Sequence, residues 1–330
     1  MKGGLGAVVA SLLLAACATN PGPPAFALVA PPAPAAAPGA VEVTAHPDPL
    51  ALLDDADPVL AANKRLVFDM WRSVVNAGQV DLADTMLRED YIQHSPVLPT
   101  GRAAFKQVFS ALERRAIPEL VSPPLVTILA EGDLVVMALR EELPQPGGEG
   151  RYTSTHFNLF RVEGGQLAEH WHSVEAAPGP SVLPPEQGGP QPVTGATGSD
   201  QLALLHSPDP VLAANKRLVF DAWRADSADA YLAPDFIDHD PTGSGGRAGF
   251  AFHAAADGPA AGVERTPVVA VVALGDVVVL VTGVEHPHPI RPGATYTTTR
   301  FDMFRIADGR LAEHWSGATK PGGGPGPYTN

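Results

Sequence analysis

At 330 residues the chain has room for two ordinary domains. Its net charge of -14 excludes the basic face that a nucleic-acid partner would call for. A single cysteine excludes an intramolecular disulfide, and the 45% hydrophobic content, though inflated by alanine, is that of globular protein.

Met1-Lys2 and the apolar run Leu5–Leu14 predict a secretory signal, too short to span a bilayer as a mature helix. Leu14-Ala15-Ala16-Cys17 resembles the lipobox of bacterial lipoproteins. That resemblance implies removal of residues 1–16 and lipid on Cys17. Ala18 after the cysteine looks like the pattern sorted to an outer membrane, which places the protein in the envelope, facing the periplasm. Residues 17–49 are rich in Ala and Pro, cannot build a core, and read as a spacer.

A first domain is expected over 50–175. Asp57 and Pro58 open a helix whose apolar residues, Val59, Leu60, Leu66, Val67, Met70, Trp71, Val74 and Val75, recur at three-to-four spacing, with Gly78 as the stop. A short helix is predicted near Val80–Leu87, and a third after Gly101 with Phe105, Val108, Phe109 and Leu112 on one face. Four strands follow in two hairpins: Leu125–Ala130, Leu134–Leu139, Tyr152–Val162 and Gln166–Val174. Residues 176–201 read as a Pro/Gly linker. A second domain over 202–317 repeats the plan, with helices at Pro210–Arg224, about Asp226–Leu232 and Arg247–Ala256. Its strands are placed near Thr266–Ala273, Asp276–Glu285, Thr295–Ile306 and Arg310–Gly317. Residues 318–330 are expected to be a disordered tail. Helices first and an antiparallel meander after predict an α+β fold in each half.

The halves are copies. Asp57–Asp69 returns letter for letter as Asp209–Asp221. Asp90-Tyr91-Ile92-Gln93-His94-Ser95-Pro96 answers to Asp235-Phe236-Ile237-Asp238-His239-Asp240-Pro241. Leu167-Ala168-Glu169-His170-Trp171 answers to Leu311-Ala312-Glu313-His314-Trp315. The period is far longer than that of a solenoid, so this is a duplicated domain, with a short segment lost from the second copy after its first helix.

The ordered set of motifs resembles the SnoaL-like polyketide cyclase group of the nuclear transport factor 2-like superfamily. Its parts are the helix bearing Trp71, then Tyr91-Ile92-Gln93-His94, Gly101-Arg102 before Phe105, and Phe160-Arg161 leading to Leu167 and Glu169-His170-Trp171. The resemblance covers nearly all of both repeats. It implies two tandem cone-shaped domains, each a curved antiparallel sheet wrapped around a long helix with an apolar pocket inside, in a superfamily of cyclases, isomerases, dehydratases, epoxide hydrolases and binding proteins. In that family the closing motif ends in an aspartate that serves as general base. Here the position is His172 in the first repeat and Ser316 in the second, and the family's aspartate of the preceding strand matches Asn158 and Asp302.

Strand alternation puts His156, Asn158 and Phe160 on one face, and His170 and His172 on one face of the next strand. Their counterparts are Arg300, Asp302, Phe304, His314 and Ser316. An enzyme would use His172, whose ordinary pKa of about 6.5 suits a base at neutral pH, with Asn158 or His94 polarising a carbonyl, or Asp302 in the second cone. His94 and His239 are expected either at the pocket mouth or holding their loop. His156, His170 and His172 could supply three zinc ligands, but the second repeat lacks the set; no metal and no cofactor are expected. The leading expectation is a lipid-anchored protein binding small apolar or carbonyl-containing molecules. The alternatives are a cyclase, isomerase or aldol-type enzyme, and an assembly module pairing through its sheet faces, within one chain or as a homodimer.

Overall fold

The computed structural model describes residues 41–173, 183–252 and 265–322. The signal, Cys17 and most of the spacer lie outside the described residues. In the first repeat α1 spans Pro58–Met70 and runs on through a wide π turn, Trp71–Val75. A single turn α2, Ala83–Met86, leads into β1, Leu87–Gln93, and α3 covers Arg102–Phe109. Strands β2 (Leu125–Glu131), β3 (Leu134–Pro144), β4 (Arg151–Glu163) and β5 (Gln166–His172) complete it. The second repeat has α4 (Pro210–Arg224), β6 (Leu232–Asp238), β7 (Val268–Leu274), β8 (Val277–Pro287), β9 (Thr295–Ala307) and β10 (Arg310–Ser316).

Each repeat forms one five-stranded sheet, ordered β1-β5-β4-β3-β2 and β6-β10-β9-β8-β7. Four strands make the expected antiparallel meander. The fifth is a correction: the sequence puts Leu87 and Leu232 at helix ends and gives the residues after them no element, yet Leu87–Gln93 and Leu232–Asp238 are strands that pair in parallel with β5 and β10. Their polar middles, Glu89-Asp90 and Pro234-Asp235, are exposed on an edge strand and mask the alternation. Two expected helices of the second repeat are absent from the described residues. Asp226–Tyr231 is mostly bends and turns, and Arg247–Gly249 is a bend and turn followed by irregular Phe250–Phe252; residues 253–256 of the latter prediction lie outside the described residues.

Both faces of each sheet are buried, which explains the unbroken apolar runs Leu134–Leu139 and Val277–Val281. The inner faces pack on the helices: Val135, Met137, Leu139 and Phe160 meet Val67, Phe68, Trp71 and Val74, and Leu280 and Phe304 meet Val219, Phe220 and Trp223. The outer faces pack on each other. Val136, Ala138, Phe157 and Leu159 of one repeat share a cluster with Val272, Val279, Phe301 and Met303 of the other, and the Phe157 and Phe301 rings stack at 5.4 Å.

The segments outside the predicted domains also fold. Val43 of the spacer is buried, and its N–H donates to Thr153 Oγ1 at 2.8 Å. In the expected linker, Ala196 bridges to Val268 on the edge of β7. In the expected tail, Ala318 is buried on the other repeat and its carbonyl accepts from Ser154 Oγ at 2.6 Å.

Candidate functional site

A cavity of ≈ 380 Å³ lies between α1, α3 and the inner face of the first sheet. Its walls are mostly apolar, with Met70, Trp71, Val108, Phe109 and Phe160 among them, and its floor is polar. Residues two apart on one strand face share a side, so β4 delivers His156 and Asn158, and β5 delivers His170 and His172. Antiparallel register sets Asn158 opposite His172 and Phe160 opposite His170. Tyr91 and Gln93 come from β1 by the same alternation. Neither was singled out from sequence, because the stretch did not read as a strand. The paired positions Gln93 and Asp238, two residues before Ser95 and Asp240, were the available signal.

The three floor histidines are uncharged at neutral pH. Burial holds His156 down at about 4, against a hydrogen bond with Asn158. Burial, then the charges of His156 and His94, takes His170 to about 3. Burial and the two neighbouring imidazoles put His172 well below its ordinary value. A neutral His170 has one N–H to give. Its Nδ1 lies 3.0 Å from Gln93 Oε1, which also receives the Ser95 N–H at 2.9 Å, so that oxygen is fixed as an acceptor. Nε2, 3.0 Å from the Asn158 amide, must then accept. The Asn158 NH2, otherwise without a partner, is the group that can supply the donor when the amide is turned. His172 Nε2 meets the Ser95 hydroxyl at 3.2 Å.

The same positions of the second repeat carry charge. His314 sits between Asp238, 2.8 Å from Nδ1, and Asp302, 3.1 Å from Nε2. Burial opposes the imidazolium, but the hydrogen bonds and charges of the two carboxylates outweigh it and raise His314 to about 9. Ser316 Oγ donates to Asp240 at 2.7 Å. Phe250 lies edge-on to His314 at 5.0 Å, and Phe252 packs on Phe304 at 5.3 Å. Arg300 stands at the place of His156, and its charge adds to burial in lowering His286.

His94 and His239 are placed away from the cavity lining. His94 lies flat on Trp171, 4.7 Å between centroids, with Nε2 2.6 Å from Glu169 and Nδ1 2.9 Å from the Pro192 carbonyl. His239 repeats this on Trp315, Glu313 and the Glu42 carbonyl. The structure therefore does not bring His94 to the Asn158–His172 pair, since its strand turns it to the opposite face from Gln93. Among the described residues no group of three or more His, Cys, Asp or Glu is placed to hold a metal ion.

Two α+β domains, each a long helix laid on the inner face of a curved sheet, define the nuclear transport factor 2-like class. Within it, residues 65–178 match the model of the SnoaL-like polyketide cyclase family and residues 217–314 that of the SnoaL-like domain, so the chain belongs to the SnoaL-like family, with two members in tandem. Among solved structures it is similar to a protein of Jannaschia sp. CCS1 provisionally described as a SnoaL-like polyketide cyclase. That match has 21% identity and a TM-score of 0.27, covering 36% of this chain and 90% of that one. It is also similar to an LEH-like epoxide hydrolase of M. tuberculosis, at 14% identity and a TM-score of 0.27, over 35% and 84% of the two chains. No curated protein matches the chain.

Proposed function

We propose that the first repeat binds a small, uncharged, mostly apolar molecule with one polar group set on the histidine floor. The observation that carries this is the chemistry of that floor: amides, hydroxyls and neutral imidazoles beneath apolar walls. An ionised ligand would find no counter-charge on that floor, the charged residues of the lining, Glu113 and Arg115, being paired with each other at 2.9 Å, and an unpaired buried charge costs several kcal/mol or more. Binding is favoured over acid–base catalysis because a useful base has a pKa near the working pH, and burial holds His172 well below its ordinary value. In the second repeat Asp302 is already tied to His314. Sharing of one cavity wall by Asn158 and His172 supports the competing reading, an enzyme of cyclase, isomerase or aldol type.

Native mass spectrometry of gently purified protein, followed by titration with the neutral ketone dye prodan, tests the proposal. His172→Ala should keep prodan affinity within about tenfold, near 1.4 kcal/mol. A wild-type turnover of carbonyl substrates that drops by about 10²–10⁴-fold in His172→Ala would make the first repeat an enzyme.

We also propose that lipid on Cys17 anchors the protein in the bacterial envelope, on the periplasmic face of the outer membrane. Among the described residues no helix is long and apolar enough to cross a membrane. Cys17→Ser should move the protein from the membrane pellet to the soluble fraction; retention in the pellet at unchanged mass counts against the anchor.

A further inference from the structure

The floor of the first cavity is held from outside by the leader of the second repeat. The Gln191 N–H donates to the Gln93 carbonyl at 2.8 Å, and the Thr100 N–H to the Gly188 carbonyl at 3.2 Å. His94 Nδ1 points at the carbonyls of Gln191 and Pro192, at 3.1 and 2.9 Å. One residue later the same segment is fixed to the second repeat, where the Val193 N–H donates to Thr297 Oγ1 at 2.7 Å. The arrangement is reciprocal. His239 holds the Glu42 carbonyl at 2.9 Å, and the next residue, Val43, is bound to Thr153 of the first repeat.

His94 is the centre of this junction. Its two ring nitrogens face acceptors only, a backbone carbonyl and the Glu169 carboxylate, so both bonds form only with a proton on each nitrogen. The Glu169 carboxyl, although burial opposes its charge, is held below its ordinary value by His94 and Arg161. The ring is clamped flat against Trp171, and the backbone N–H of His94 donates to the His170 carbonyl at 3.0 Å. Its two chain neighbours carry the floor: Gln93 Oε1 lies on His170 Nδ1, and Ser95 Oγ on His172 Nε2.

We propose that His94 is a positioning residue for the first cavity. By pinning Gln191-Pro192 to Glu169 it fixes Gln93 and Ser95, and through them the His170 and His172 rings, so the site is complete only when the second repeat's leader is docked. The proposal rests on the reading of the first cavity as a site for a neutral ligand. It goes beyond that reading in making the site depend on the other repeat.

The test uses the full chain with His94→Gln and Glu169→Gln, read by prodan titration and by the imidazole nitrogen resonances of His170 as pH is lowered. Both variants should unfold cooperatively. Both should bind prodan at least tenfold more weakly and move the His170 midpoint upward toward that of a solvated histidine, because water reaches the floor. Asp209→Ala, which loosens a helix start in the second repeat without touching the leader, should change neither readout. Wild type that fails to bind prodan defeats the ligand reading while the His170 midpoint still decides this one. The proposal is overturned if the variants fold and leave both readouts as in wild type. It is overturned equally if neither variant folds, because His94 then holds the domain rather than the site.

Discussion

Two histidines at the same place in the two copies are driven to opposite charge states. His170 has amides on both sides, and burial, helped by His156 and His94, decides; His314 has carboxylates on both sides, and they outweigh burial. Stability should therefore depend on pH at both ends. His156 and His170 sit below their unfolded value, so unfolded chain binds more protons as pH falls below about 6.5. Their contribution is whole above that pH and is lost toward 4 and 3. His314 sits above it, so its contribution is whole below about 6.5 and is lost as pH rises through about 9. A tenfold change in proton affinity is about 1.4 kcal/mol, so each group contributes on the order of 3 to 5 kcal/mol at full effect. Urea unfolding across pH 4 to 10 should show both limbs, with the alkaline one removed in His314→Gln. An unchanged alkaline limb in that variant would place the charge balance elsewhere.

At the scale of the element, thirteen identical residues give the same start but not the same end. Asp57 and Asp209 each accept the N–H two residues on, from Val59 and Val211, at 2.8 Å. Asp57→Ala and Asp209→Ala should each lower stability by about 1 kcal/mol, read as a shifted urea midpoint at constant slope. A marked difference between the two would mean that one helix start is held by packing instead. The ends differ where the copies do. In the first repeat the Ser73 hydroxyl bonds back to the Asp69 carbonyl four residues earlier, and the helix widens into its π turn. Ala225 stands at that place in the second and the helix stops. Beyond the turn, Gly78 has φ +63 with the Glu113 carbonyl 2.7 Å from where a Cβ would be, so both conformation and space require glycine. Even the shared lysine finds different partners: Lys64 pairs with Asp55 beside its own helix, and Lys216 with Glu131 of the other repeat.

On the whole-molecule scale, the shared outer cluster makes the halves mutually dependent. Separated, each would expose the large apolar face now covered by its twin, and such faces drive association. Fragments 41–173 and 183–322 should self-associate alone and combine one to one when mixed, as measured by light scattering after gel filtration. Phe157→Asp, which buries a charge in the stack on Phe301, should cost at least about 3 kcal/mol in the intact chain. Monomeric halves that unfold as cooperatively as the whole would show that the shared face is dispensable.

Much was legible in the residues themselves. The duplication, the helix starts at Asp57 and Asp209, and the four-strand meanders follow from local signals: exact repetition, capping chemistry and periods of 3.6 and 2. Alternation also put His156, Asn158 and Phe160 on one face of their strand, and His170 and His172 on one face of the next, because a strand's period is set by its own backbone. What the alternation could not say is what each wall meets. Gln93 and Tyr91 join the floor only because an edge strand pairs in parallel with a distant one. His94 leaves it because that pairing turns it to the outer side, onto Trp171 and a carbonyl 98 residues away. Whether an imidazole is neutral or charged was likewise not written in the motif Glu-His-Trp. It depends on whether amides or carboxylates arrive from other strands, and on burial, and both exist only in the folded chain.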